Sequence, residues 1–190
     1  MTKLEIKEAK LYAEQTLAYI LNKLRNHDQI IKNLLELRGD GWRKMKYARG
    51  LFDRSVGLLS LNDVNKEYIT LTEPFHCKML TSSKKLADEI SPEYKIELKT
   101  PEELFEESDI IIVQGEANDF SGEISKELLG RMKKDALLVL ASDDIKLDEE
   151  FLIKILEDGK IHALVWDGFG FSDNIKNMQN VMLARQSIKN

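Results

Sequence analysis

The chain has 190 residues, 43% apolar and 32% charged, with 28 basic against 33 acidic residues and a net charge of −5. That length can enclose one substantial core. An acidic balance with no basic cluster argues against nucleic acid, and no run approaches the roughly 20 apolar residues of a membrane span.

From the N-terminus, Leu4, Leu11, Leu17, Ile20, Leu21, Leu24, Ile30, Ile31, Leu34 and Leu35 recur at helical spacing with charges between them. Gly39-Asp40-Gly41 is the expected end of that helical region. Short apolar runs follow at Val56–Leu61, Lys78–Thr81, Ile110–Val113, Leu137–Ala141, Ala163–Trp166 and Val181–Leu183. Helical patterns lie between them, near 63–74, 84–90, 101–107, 125–132 and 148–158. Alternation of this kind predicts an α/β domain, a parallel sheet with helices on both faces. Unbroken Ile110-Ile111-Ile112-Val113 reads as a central strand buried on both sides.

The lone cysteine, Cys77, forms no internal disulfide, which suits a reducing compartment. Met1-Thr2-Lys3-Leu4-Glu5 is too charged to open a signal peptide, so the expected setting is cytoplasmic. His27, His76 and His162 are far apart and have no metal-ligand spacing with Cys77. The acidic group Asp143, Asp144, Asp148, Glu149 and Glu150 reads first as a solvated helix N-terminus, and no metal is expected.

From Ala136, the stretch ALLVLASDDIKLDEEFLIKILEDGKIHALVWDGFG resembles the second half of the cofactor-binding domain of the D-isomer-specific 2-hydroxyacid dehydrogenases. Further matches occur in the same order and spacing. Tyr12-Ala13-Glu14 resembles the V-A-E helix of that family, and Trp42 falls where that segment ends in Trp. Arg54-Ser55-Val56-Gly57-Leu58-Leu59 is similar to the first strand, Ser108-Asp109-Ile110-Ile111 to the approach to the fourth, and Leu128, Met132 and Lys133 to an L-x-x-M-K before the fifth. The resemblance runs from about Tyr12 to Gln186. It implies a Rossmann-type doubly wound parallel sheet in a single domain, with a long N-terminal helix. Residues 1–42 then form a helical dimerisation segment of the domain whose remainder is 43–190, and the expected partner is a second copy held through the N-terminal helices. The family's substrate-side domain has no counterpart, so this chain is expected to supply one wall of an active-site cleft.

The same resemblance predicts which residues should carry the chemistry, and those positions differ. The family's G-x-G-x-x-G spacing reads Ser60-Leu61-Asn62-Asp63-Val64-Asn65 here. The glycines of that motif give a tight turn, close backbone approach to a pyrophosphate and close helix–strand packing. Asn62 would put a side chain against the pyrophosphate and Asn65 would push the helix off the strand, although Asn62 or Asp63 can cap the helix. The acid that holds the ribose falls at Ser83, and Ser82 and Lys84 leave a 2′-phosphate ligand open. The substrate-binding Arg falls at Asp143, which reverses its charge. The Glu falls at Ser172 and the His at Gln186, which cannot exchange a proton near neutral pH. Asp167 matches an Asp near the nicotinamide, and reads equally as a strand-end cap.

Three functions stay open at this point. The first is a non-catalytic dimeric scaffold with no cofactor expected. The second is a sensor binding a small ligand at the strand ends. The third is an NAD- or NADP-dependent oxidoreductase completed by a separately encoded substrate domain.

Overall fold

A computed structural model describes residues 3–27, 30–31, 49–60, 62–89, 94–114, 123–142, 145–168 and 172–184. Its first element is α1 (Lys3–Arg25), whose buried positions Ala9, Ala13, Thr16, Ile20, Lys23 and Leu24 form one helical stripe. Asn26 closes it in the left-handed region at φ 52°. The expected continuation to Leu37, the Gly39-Asp40-Gly41 stop and Trp42 lie largely or wholly outside the described residues.

The rest is a sheet with helical crossovers: β1 (Ser55–Leu58), α2 (Asp63–Thr72), β2 (Lys78–Thr81), α3 (Lys84–Glu89), β3 (Ile96–Leu98), α4 (Pro101–Glu107) and β4 (Ile110–Gln114). A two-residue strand β5 (Glu123–Ile124) leads to α5 (Lys126–Arg131) and β6 (Leu137–Ala141). Then come β7 (Lys146–Leu147), α6 (Glu149–Glu157), β8 (Ala163–Trp166), α7 (Asp173–Lys176) and β9 (Val181–Leu183). Seven strands form one parallel sheet in the order β3-β2-β1-β4-β6-β8-β9, while β5 and β7 pair separately. This is the doubly wound Rossmann-type order, and it reverses direction between β1 and β4, where such sheets open a crevice beyond their C-terminal strand ends.

Both faces are covered, as the unbroken apolar strands require. On one face Leu104, Phe105, Leu129, Leu152, Ile155 and Leu156 pack on Ile111, Leu138, Leu140 and Leu164. On the other, Ala13, Ile20 and Leu24 of α1 join Tyr68 and Ile69 of α2 over Val56, Leu58, Ile110, Ile112, Val139 and Val165. The N-terminal helix is therefore part of the same core. Gly57 is where α4 comes closest to β1: a Cβ there would lie 2.4 Å from Ser108 Oγ and 2.6 Å from Leu104 Cδ2, so only glycine fits.

Three local outcomes differ from the sequence reading. The strand expected over Val56–Leu61 stops at Leu58, because the chain turns toward α2. The helix expected to residue 74 ends at Thr72 and tightens into a 3-10 turn, Glu73–Phe75, around Pro74, closed by His76 at φ 53°. The edge strand β3 carried no apolar run because its three residues are only partly buried or exposed.

Candidate functional site

The mouth of the β1–β4 crevice is built by the loop between β1 and α2. Asn62 has extended backbone, φ −150° and ψ 166°, which any residue adopts, so no glycine is needed there for conformation. Its Oδ1 accepts from Asn65 N at 2.7 Å and caps α2. Its Nδ2 donates to the Gln114 carbonyl at the end of β4, so one carboxamide reaches from the helix end across to the neighbouring strand. Ser60 Oγ donates to the same Gln114 carbonyl at 3.1 Å.

Asn65 is wholly buried, and its Nδ2 donates to Ser60 O at 2.8 Å. The side chain that was expected to push α2 away from β1 instead bridges the helix to the strand end. Gln114 carries the network further: its Nε2 donates to Thr16 Oγ1 on α1 at 3.1 Å, and that hydroxyl donates to Tyr12 O at 2.9 Å. Ser60, Asn65, Gln114 and Thr16 are all buried.

The second strand end is equally occupied. Thr81 Oγ1 donates to Leu58 O at 2.8 Å and Ser82 Oγ to Leu59 O at 3.1 Å. Ser83, at the expected ribose position, is buried and accepts from Leu86 N at 3.1 Å, capping α3. Each β1-end carbonyl from Leu58 to Ser60 thus receives a side-chain donor, from the end of β2, the loop after it and α2 respectively.

Of the positions predicted for substrate chemistry, Asp143 and Gln186 lie outside the described residues, as does Asp144. Ser172 begins α7 beside α6, where its backbone N–H donates to Glu149 Oε1 at 3.0 Å and its hydroxyl to the same oxygen. Asp167 is buried just beyond β8, its N–H donating to Leu140 O at 2.7 Å. Asp148 caps α6 through Phe151 N at 2.9 Å, as expected for an acidic helix start. The structure thus gathers Ser60, Asn62 and Asn65 into one network, and it adds Gln114 and Thr16. No sequence signal marked those two, since a glutamine closing an apolar run and a threonine 98 residues away match no motif.

Elsewhere, no group of three His, Cys, Asp or Glu side chains able to hold a metal occurs among the described residues. His162 Nε2 lies 3.1 Å from Lys23 O and ties β8 to α1. Burial, followed by the Asp53 carboxylate, pushes the Cys77 thiol up to about 11, against a hydrogen bond from the Arg54 backbone, so little thiolate forms near neutrality. No helix among the described residues is long and apolar enough to cross a membrane.

A doubly wound sheet with its loop at the β1–β4 reversal defines a dinucleotide-domain architecture, and comparison with known proteins narrows it. The family model for the D-isomer specific 2-hydroxyacid dehydrogenase, NAD binding domain, matches residues 17–185. The chain belongs to this family. It is 29% identical over 159 residues to the D-specific alpha-keto acid dehydrogenase of Enterococcus faecium, covering 82% of this chain and 46% of that one. It is 25% identical over 156 residues to the glyoxylate reductase of Pyrococcus horikoshii, covering 77% and 46%. The chain therefore spans about half the length of these curated relatives.

Among solved structures, formate dehydrogenase of Granulicella superposes with a TM-score of 0.77 at 20% identity, over 92% of this chain and 48% of that one. The NAD-dependent formate dehydrogenase of Staphylococcus aureus, in complex with NAD, gives 0.78 at 18% identity over 92% and 54%. These likenesses establish the fold.

Proposed function

We propose that this chain is a non-catalytic member of its family, a Rossmann-type scaffold that works as a homodimer and does not turn over a dinucleotide. One observation carries the reading: the N-terminus of α2, where a family member would meet the pyrophosphate, is capped by the chain's own Asn62, at 2.7 Å from Asn65 N. Helix N-termini attract phosphate because their N–H groups lack partners and the helix dipole favours negative charge. Here one of those N–H groups is satisfied from within, by a side chain at the position where the family's motif has its second glycine. Ser83 adds support, because a buried helix-capping hydroxyl replaces the acid that would hold a ribose. The residues at this mouth do not fit the dinucleotide of the family.

The dimer rests on α1. Leu11 is 55% exposed and Tyr12 43% exposed on the helix surface turned away from the core. A two-fold axis beside that helix would bring each copy's Leu11 and Tyr12 against the other's. A cytoplasmic setting, read from the lone cysteine, completes the proposal.

Calorimetric titration with NADH and NADPH tests the first part, and no heat at millimolar cofactor is the expected result. Micromolar binding would overturn it and favour the oxidoreductase reading, in which Asp167 is a working remnant and a separate polypeptide supplies the substrate domain. Analytical ultracentrifugation of wild type and of a Leu11→Asp, Tyr12→Asp variant tests the second. The expected outcome is a dimer that becomes a folded monomer. A monomeric wild type sinks the scaffold interface.

A further inference from the structure

We infer that the Asn62 carboxamide is an internal stand-in for a ligand phosphate, and that positions 62 and 65, more than Ser60 or Ser83, exclude dinucleotides from the crevice. This rests on the proposed non-catalytic reading and assigns its cause to two residues.

The chemistry of the mouth explains why these positions matter most. A carboxamide is donor and acceptor at once. Asn62 uses both halves: Oδ1 takes Asn65 N from the helix, and Nδ2 feeds the Gln114 carbonyl across the strand gap. A phosphate has acceptors alone near neutral pH. Displacing Asn62, it could satisfy Asn65 N but would remove one of the two donors to the Gln114 carbonyl, leaving only the Ser60 hydroxyl, and set that carbonyl facing an anion. The network therefore accepts the asparagine and resists its replacement.

Asn65 reinforces the closure from below. Its Nδ2 holds Ser60 O at 2.8 Å, which fixes the loop in the position that presents Asn62 to Gln114. Among the described residues its Oδ1 is buried without a hydrogen-bond partner, so the strut is retained against an unfavourable burial. Ser60 is the least obstructive of the three, because its hydroxyl can go on donating to Gln114 O at 3.1 Å whether or not Asn62 is present. Around the mouth the frame is intact: β1 and β4 are paired in register at Val56–Ile110, Gly57–Ile111 and Leu58–Ile112.

The test compares the full chain with Asn62→Gly and with Asn62→Gly, Asn65→Ala, both keeping Ser60, and with Asn62→Asp. NADH and NADPH are the probes, followed by calorimetry and nicotinamide fluorescence, with circular dichroism reporting the fold. Glycine at 62 is expected to tighten binding of at least one cofactor by tenfold or more over wild type, and the double variant to do so further. Aspartate keeps the helix cap but adds charge, and is expected to bind no better than wild type. If the double variant does not fold, Asn62→Gly alone decides. Folded variants that bind no more tightly than a non-binding wild type overturn this inference and leave the non-catalytic reading standing. Tight binding by wild type overturns both.

Discussion

The floor of the β1–β4 seam is held by charge, whereas its mouth is held by neutral amides and hydroxyls. At the floor, Asp109 Oδ2 accepts from Ser55 N at 3.0 Å and from Ser55 Oγ at 2.9 Å, while Lys133 Nζ lies 3.3 Å and Arg54 3.9 Å from Oδ1. At the mouth, Ser60, Asn62 and Gln114 make the equivalent crossing without an ionisable group. Both ends rivet the line where the sheet reverses. One seam can thus be closed by charge at one end and by neutral groups at the other, provided each strand-end carbonyl finds a donor.

The comparison can be broken first in the middle of the seam. Gly57→Val should destabilise by about 3 kcal/mol, since the added carbons overlap Ser108 and Leu104 and must displace α4. Urea unfolding measures it, and a loss below about 1 kcal/mol would show that α4 yields easily.

Asp109→Ala comes next, at about 2 kcal/mol, because it strips a carboxylate from hydrogen-bonded partners in a part-buried site. This is also where acid sensitivity should reside. Burial alone would raise the Asp109 carboxyl, but the Ser55 N–H and hydroxyl and the Lys133 ammonium outweigh it and hold it below the ordinary carboxylate range. A depressed folded value contributes stability that is present above the unfolded value, about 3.9, and is lost as pH falls through the folded one. Asp109→Asn should therefore flatten the acid limb of a stability–pH curve, while changes at the mouth should only lower the whole curve. An unchanged acid limb would reassign that role to other carboxylates.

A smaller effect belongs to Asn62→Ala, which removes the α2 cap and should cost about 1 kcal/mol, or a few degrees in thermal midpoint for a chain of this length. The smallest belongs to Lys66→Ala. Its pair with Glu89 is on the surface, and the change should stay within about 0.5 kcal/mol.

Most of the sheet was legible because its central strands are continuous apolar runs. Lys78–Thr81, Leu137–Ala141, Ala163–Trp166 and Val181–Leu183 begin and end where the periodicity placed them. Strand β3 escaped because Ile96-Glu97-Leu98 is interrupted by a charge and mostly exposed, whereas the equally short edge strand β9 is an unbroken apolar Val-Met-Leu. α7 has only four residues, fewer than helical spacing needs to show itself. At the site, the capping role of Asn62 followed from its type and place. Its second bond, to Gln114, could not be read, because strand order brings together residues 52 positions apart. The bond of Asn65 to Ser60 O could not be read either, since volume alone suggested a clash and the buried amide also bridges α2 to the strand end.

The seat of α1 has a consequence for how the protein is made. His162 on the way into β8 reaches Lys23 O, 139 residues earlier in the chain, and Gln114 reaches back to Thr16. At roughly 5 to 20 residues per second, a ribosome delivers His162 about seven to twenty-eight seconds after Lys23. During that interval Ala13, Ile20 and Leu24 gain their covering strands one at a time, with Val165 of β8 the last of them. Helix α1 is synthesised first, and its seat is complete only once β8 has been made.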